Sequence, residues 1–198
     1  FLKDNEYSVD AVLWIGGVGA YGTNAVTDIL TGKVNPSGSL VDTYCFDNFA
    51  APAMRNAVPV TYAGYDGKNI PNYAETYLIY QEGIYVGYKY FETRYEDFVM
   101  GTGNAGQYAY DDEVAFPFGF GLSYTTFAYS DLQTEGRNVT FTLTNTGSCA
   151  GAEVAQVYIG KPGSAILRPA KELKGFAKVR LAEGESRRVT IPLDDKAF

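Results

Sequence analysis

The side chains of this sequence best suited to chemistry are carboxylates. Glu82, Glu92, Glu96, Asp97, Asp111, Asp112 and Glu113 fall in one central stretch. Paired Asp and Glu residues do nucleophilic and acid–base work at glycosidic bonds: one attacks the anomeric carbon while the other protonates the leaving oxygen. Glu82 stands out because it lies inside a run of aromatic residues. Spacing alone does not bring two of these groups within the few ångströms that such a reaction needs. Acids of this kind are mostly solvated or ion-paired at a surface, so none is assigned a catalytic role.

Other chemistries are excluded or weakly signalled. The chain has no histidine, which removes a Ser-His-Asp triad, a Cys-His pair and any His-ligated zinc within it. Cys45 and Cys149 are far apart and form no CxxC; they read as small buried hydrophobes and not as a disulfide framework or a metal site. Gly17-x-Gly19-x-x-Gly22 is a lone match to a dinucleotide fingerprint. No Gly-Lys-Ser/Thr follows it, and Asp42 is the one acid near the expected later position, so it reads as a tight strand-to-helix turn. Asn138-Val139-Thr140 matches a glycosylation acceptor but falls inside a predicted strand, and coincidence is the better reading. No cofactor-binding or metal-binding residue is assigned.

The 198 residues carry 16 Lys and Arg against 23 Asp and Glu, a formal net charge of −7. An acidic chain without a basic tract is a poor partner for nucleic acid or an anionic membrane surface. It has no uninterrupted apolar run of about 18 residues, the length that reads as a membrane-spanning helix. The excess lies in 17 Tyr, 12 Phe and 22 Gly, a composition suited to β-structure, carbohydrate-facing surfaces, or both. The chain starts at Phe1 with no leader, and is expected to be cut from something longer.

The elements that would hold these residues follow from pattern. Residues 11–15 form a continuous apolar run, the mark of a strand buried in a parallel sheet. A glycine-rich turn leads into a helix capped by Thr23 or Asn24 and running through Thr31, with Gly32 at its C-terminal end. Asn35-Pro36-Ser37-Gly38 is a turn, and residues 39–44 resume extended chain. Residues 46–76 read as a long ordered loop. Residues 77–91 read as an aromatic strand, with Ile84, Val86, Tyr88 and Tyr90 on one side. A polar stretch over 101–113 leads to an aromatic linker at 116–121. From Phe127 onward, five alternating segments follow: 127–132, 138–145, 153–159, 173–179 and 186–193. Short strands separated by turns at this spacing predict an antiparallel β-sandwich, although an immunoglobulin-like sheet pair has about seven strands. The fold class is therefore α/β plus all-β. Residues 1–76 form a partial α/β sandwich with its long loop, residues 77–126 an aromatic strand and connector, and residues 127–198 an immunoglobulin- or fibronectin III-like β-sandwich. Both domains are expected to be truncated.

Four blocks carry a family resemblance. Trp14-Ile15-Gly16-Gly17 followed by Thr31-Gly32-Lys33-Val34-Asn35-Pro36-Ser37-Gly38-Ser39-Leu40 resembles a block of glycoside hydrolase family 3. So do the segment from Tyr80 to Tyr90, which carries Glu82-Gly83-Ile84-Tyr85-Val86-Gly87-Tyr88, and the segment Phe116-Pro117-Phe118-Gly119-Phe120-Gly121-Leu122-Ser123-Tyr124-Thr125. Arg168-Pro169 with Lys171-Glu172-Leu173-Lys174-Gly175-Phe176 resembles the strand region of that family's fibronectin type III-like domain. The resemblance implies a retaining, exo-acting β-glycosidase, typified by β-glucosidases. It implies a (β/α)₈ barrel that carries an Asp nucleophile, an α/β sandwich and a fibronectin type III-like domain. It also implies a Glu acid/base upstream of the Asn35–Gly38 block. Neither catalytic carboxylate matches a position in this sequence, so no catalytic residue is assigned and the chain alone is expected to be inactive. The implied partners are a glucoside or oligosaccharide substrate, met through the whole enzyme, and the missing barrel. The blocks also resemble a bacterial subgroup in which the barrel comes last, and the implied compartment is cytoplasmic or secreted. Two other roles remain open at this point: a sugar-binding module with residues 77–91 as a stacking platform, and a purely structural brace acting through the aromatics of 116–127.

Overall fold

The computed structural model describes residues 10–57, 60–61, 76–103 and 105–198. In chain order the elements are α1 (Thr23–Leu30), β1 (Tyr44–Cys45), α2 (Pro52–Arg55), β2 (Val60–Thr61), β3 (Thr76–Tyr77), α3 (Tyr88–Met100), α4 (Tyr110–Glu113), β4 (Val114–Phe116), β5 (Phe127–Glu135), β6 (Asn138–Asn145), β7 (Gly151–Ile159), β8 (Glu172–Leu181) and β9 (Ser186–Pro192). They fall into two compact units. One takes Phe1–Val41, Gly119–Gly160 and Glu172–Phe198; the other takes Asp42–Phe118 and Lys161–Lys171.

The first unit is dominated by the sandwich. One sheet has the order β5-β6-β9 and the other pairs β7 with β8, all antiparallel. Alternation sets the faces: in β6, Phe141, Leu143 and Asn145 point inward while the threonines between them are half-exposed. The core gathers Phe141, Leu143, Ala155, Val179, Leu181, Val189, Ile191, Leu193 and Ala197. On the outer face, Thr140 and Thr190 share a hydrogen bond of 3.0 Å and Thr144 and Ser186 one of 2.8 Å, the cross-strand pairing that suits a half-wet sheet. All five expected strands form close to their expected bounds, and in β6 and β9 inward and outward positions differ clearly in polarity. A bulge between Ser130 and Gln133 interrupts β5, with Asp131 at φ +53°, a conformation that Asp tolerates better than most residues.

The same unit holds α1. The helix is capped by Gly22 and not by the expected Thr23 or Asn24, which lie inside it. Gly32 follows the last turn at φ +73°, the left-handed end that favours glycine. The expected strand over residues 11–15 does not form: this stretch has no regular secondary structure, and Trp14 is 65% exposed. A continuous apolar run becomes a strand only when neighbouring strands accept its backbone groups, and among the described residues none pairs with it.

In the second unit, β1 pairs with β4 and β2 with β3. The expected strand over 77–91 is corrected. Extended chain ends at Tyr77, and a helix, α3, starts at Tyr88. Gly83 and Gly87 take φ +56° and +59°, which breaks a strand at both points. The Tyr90 amide donates to the Gly87 carbonyl at 3.0 Å and starts the helix; Gly101 ends it in the left-handed conformation. Most of the expected loop over 46–76 lies outside the described residues. Its described part holds a short 3₁₀ turn at Asn48–Ala50 and α2.

Candidate functional site

In the second unit α3, α4 and β4 bring the central carboxylates together with cations and tyrosines. Arg94 on α3 grips Glu113 at the end of α4 through two oxygens, at 3.0 and 3.1 Å. Its guanidinium also lies 4.3 Å from the centre of the Tyr108 ring, and its Nε donates to the Ala105 carbonyl at 3.3 Å. One oxygen of Glu92 accepts from the Tyr110 hydroxyl at 2.7 Å, and the other pairs with Lys171 at 2.9 Å. Next to it, Thr93 Oγ1 accepts from the Ala170 amide at 2.9 Å. The two carboxylates therefore tie α4 and the 161–171 segment to one helix.

The electrostatics match that structural use. Burial, and next the Glu113 charge, push the Tyr108 hydroxyl above the ordinary tyrosine range. Burial, followed by the hydrogen bond to Glu92, does the same to Tyr110. Both phenols stay protonated at neutral pH, so neither offers a phenolate. Burial, then Glu113, Asp42 and Asp47, push the Cys45 thiol up to about 11, which removes it as a nucleophile at neutral pH. Replacement of Arg94 by Met is expected to loosen this cluster by about 2 kcal/mol, because it leaves a half-buried Glu113 unpaired. Hydrogen exchange at the α3 and β4 amides measures it, and unchanged protection there would remove the structural role.

Glu82 sits in the irregular stretch before α3, where its carbonyl accepts from the Tyr85 amide at 2.9 Å. Asp97 accepts from the Thr102 hydroxyl at 3.0 Å at the end of α3. Glu96, Asp111 and Asp112 are exposed. Among the described residues no three His, Cys, Asp or Glu side chains group as a metal site, and no helix is long and apolar enough to cross a membrane.

The aromatic run is spent largely on packing. Tyr88 stacks on Phe118 at 4.5 Å, Tyr90 meets the edge of Phe91 at 5.1 Å, and Phe91 is buried. Tyr80 alone of these is 89% exposed. With α3 in place of the strand, Tyr88 and Tyr90 do not form a flat row of faces for sugar rings.

In the first unit, two asparagines clasp the turn at 35–38 and the segment around Ser123–Thr125 to the sandwich. Asn35 Oδ1 accepts from Ser123 Oγ and the Tyr124 amide, both at 2.8 Å, and its Nδ2 donates to the Ala150 carbonyl at 3.0 Å. Asn145 is fully buried. Its Oδ1 accepts from Thr125 Oγ1 at 2.6 Å and from the Gly147 amide at 3.1 Å. Its Nδ2 donates to the carbonyls of Cys149 and Ala182 at 2.8 and 3.0 Å. Cys149 enters the clasp as a polar contact, its Sγ donating to the Tyr124 carbonyl at 3.5 Å. The sequence placed Asn35 in a turn and gave Asn145 no role, and it showed the bonds of neither. The one available signal was polarity at the inward end of β6, where alternation calls for an apolar residue. The glycine turn ahead of α1 serves geometry: a Cβ on Gly22 would collide with the Val18 carbonyl oxygen, whose bond with the Gly22 amide closes the turn at 3.1 Å.

Comparison with known proteins places this architecture. Residues 1–88 match the glycosyl hydrolase family 3 C-terminal domain, and residues 153–198 match a fibronectin type III-like domain. The chain belongs to glycoside hydrolase family 3. A probable β-glucosidase K of Emericella nidulans is 40% identical over 91% of this chain and 18% of its own length. An exo-α-(1→6)-L-arabinopyranosidase of Bifidobacterium breve is 36% identical over 91% of the chain and 21% of its own. The crystal structure of a Bifidobacterium adolescentis family 3 β-glucosidase matches with a TM-score of 0.67 at 38% identity, covering 89% of the chain and 23% of that structure. The chain thus spans about a fifth of the length of these relatives. In this family 3 chain the blocks around Asn35 and Ser123, far apart in sequence, meet in one clasp on the sandwich.

Proposed function

We propose that this chain is the supporting, non-catalytic portion of a larger retaining β-glucosidase that removes terminal non-reducing β-D-glucosyl residues. The observation that carries this reading is likeness to β-glucosidases along nearly the whole chain, 40% identical over 91% of it in one case. The site chemistry agrees with a supporting role. The carboxylates Glu92 and Glu113 hold cations, and hydrolysis with retention needs two carboxyl groups free to flank one bond. The nucleophile and the acid/base then lie on parts of the enzyme outside residues 1–198.

The test uses the product of the whole gene alongside the 198-residue chain. The whole protein is expected to cleave an aryl β-D-glucoside, with the β-anomer of glucose appearing first by NMR, and the shorter chain is expected to release nothing above a heat-killed control. A clear preference for an aryl α-L-arabinopyranoside would replace glucose as the substrate sugar. Turnover by the 198-residue chain would overturn the non-catalytic assignment.

A further inference from the structure

One sequence motif has a part in the fold, as the start of β6, but none in the proposed hydrolysis. Asn138-Val139-Thr140 is the single Asn-x-Ser/Thr triplet in the chain whose middle residue is not proline; Asn35-Pro36-Ser37 has proline there. Its setting is the first residue of β6, the start of the strand that the sequence pattern places at 138–145. Glu135 and Asn138 form the last pair of the β5–β6 ladder, so Gly136 and Arg137 make a two-residue turn, with Gly136 at φ +56°. Asn138 is the first strand residue after that turn and is exposed. Its ladder neighbours on either side, Glu135 and Pro192, are exposed too.

Strand alternation completes the acceptor. Val139 and Phe141 face the core while Asn138 and Thr140 share the outer face, so the amide and the hydroxyl two residues on are presented from one side. The turn is pinned from below. The Leu193 amide donates to the Arg137 carbonyl at 2.8 Å, and Arg137 forms an ion pair with Asp195. A bulky group on Asn138 Nδ2 would extend from the end of the hairpin without displacing a core side chain. It would also stand at the end of β5, an edge strand exposed along nearly all its length, where bulk discourages edge-to-edge pairing.

We propose that Asn138 is an N-glycan acceptor that takes an oligosaccharide from a polyisoprenyl-diphosphate donor when the protein passes an oligosaccharyltransferase. The amide nitrogen forms a C–N bond to the anomeric carbon, the anomeric C–O bond to the diphosphate breaks, and the displaced amide proton leaves as the diphosphate departs. Thr140 supplies the hydroxyl that such an enzyme reads.

The experiment expresses the whole protein in yeast, once behind a secretion leader and once in the cytosol. An amidase that removes N-glycans is then applied in heavy-oxygen water, and the peptide carrying Asn138 is read by mass spectrometry. The secreted protein is expected to show heavy-labelled conversion at Asn138 in most molecules, and the cytosolic protein none. Thr140→Ala is expected to abolish the label, Thr140→Ser to retain it, and neither to change glycosidase turnover. Secreted, folded protein with an unmodified Asn138 overturns the proposal. Should secretion fail, translation of the leader-bearing chain into microsomes reads the same event as an amidase-sensitive gel shift, and no shift overturns it equally.

Discussion

Asn145→Ala is expected to open the sandwich as far as truncation of a large apolar core side chain does, lowering its stability by about 4 kcal/mol. The carboxamide is fully buried and uses both of its ends. Truncation leaves the Thr125 hydroxyl, the Gly147 amide and the Cys149 carbonyl without this partner at once, while the Ala182 carbonyl keeps the Glu185 amide at 3.1 Å. Buried groups stripped of a partner each cost about 1–3 kcal/mol, and rotation of the Thr125 hydroxyl recovers only part of that. The apolar benchmark is Leu143→Ala on the same strand, also fully buried, for which a cavity cost of about 2–5 kcal/mol is expected. Native-state hydrogen exchange at Leu143, Leu181 and Val189 reports the opening free energy of this core directly, without assuming that the whole chain unfolds in one step. A loss below about 1 kcal/mol would mean that water replaces the carboxamide without penalty, against the cost expected of unpaired buried groups.

What the sequence made legible divides along a physical line. Strands β6 and β9 follow from local alternation, because each residue's polarity already states which side of the sheet it faces. Gly32 marks the end of α1 for a similar reason, since a left-handed residue there suits glycine. Elements that depend on a partner were not legible. Residues 11–15 have the composition of a buried strand, but none of the described strands forms a ladder with them. Tyr88 to Met100 is rich in aromatics that favour strands, yet the positive φ of Gly87 and the turn that it closes with Tyr90 start a helix instead. The roles of the acids were half legible. Their composition indicated ion-paired surface groups, and Glu92 and Glu113 are ion-paired, but the identities of Lys171 and Arg94 as partners come only from the fold. The Asn35 clasp was hidden for the same reason: it reaches Ser123 across 88 residues and Ala150 across 115.

That long reach makes the backbone near the clasp intolerant of even one carbon, and the expected result is a loss of about 3 kcal/mol for Gly121→Ala. A Cβ there would collide with the carbonyl oxygen of Gly38 and stand 3.2 Å from the Gly38 carbonyl carbon and 3.3 Å from Ser39 Cα. All three are backbone atoms, so no side chain can swing aside. The two segments are joined here by a pair of backbone hydrogen bonds, Leu40 N–H to the Phe120 carbonyl and Gly119 N–H to the Leu40 carbonyl, each 2.8 Å. Relieving the collision means parting them, and the Asn35 bonds to Ser123 and Tyr124 lie two and three residues beyond. Gly38→Ala is the matched control: it lies on the opposite side of the same approach, it has nothing within 4 Å of its added Cβ, and its φ is not positive. That variant is expected to be neutral or slightly stabilising through the entropy of the unfolded chain. The readout is exchange at the Leu40 and Gly119 amides, which should quicken on the order of a hundred-fold in Gly121→Ala and stay within a few-fold in Gly38→Ala. Equal exchange in the two variants would show that the segments separate without cost, and that the glycine is kept there for no steric reason.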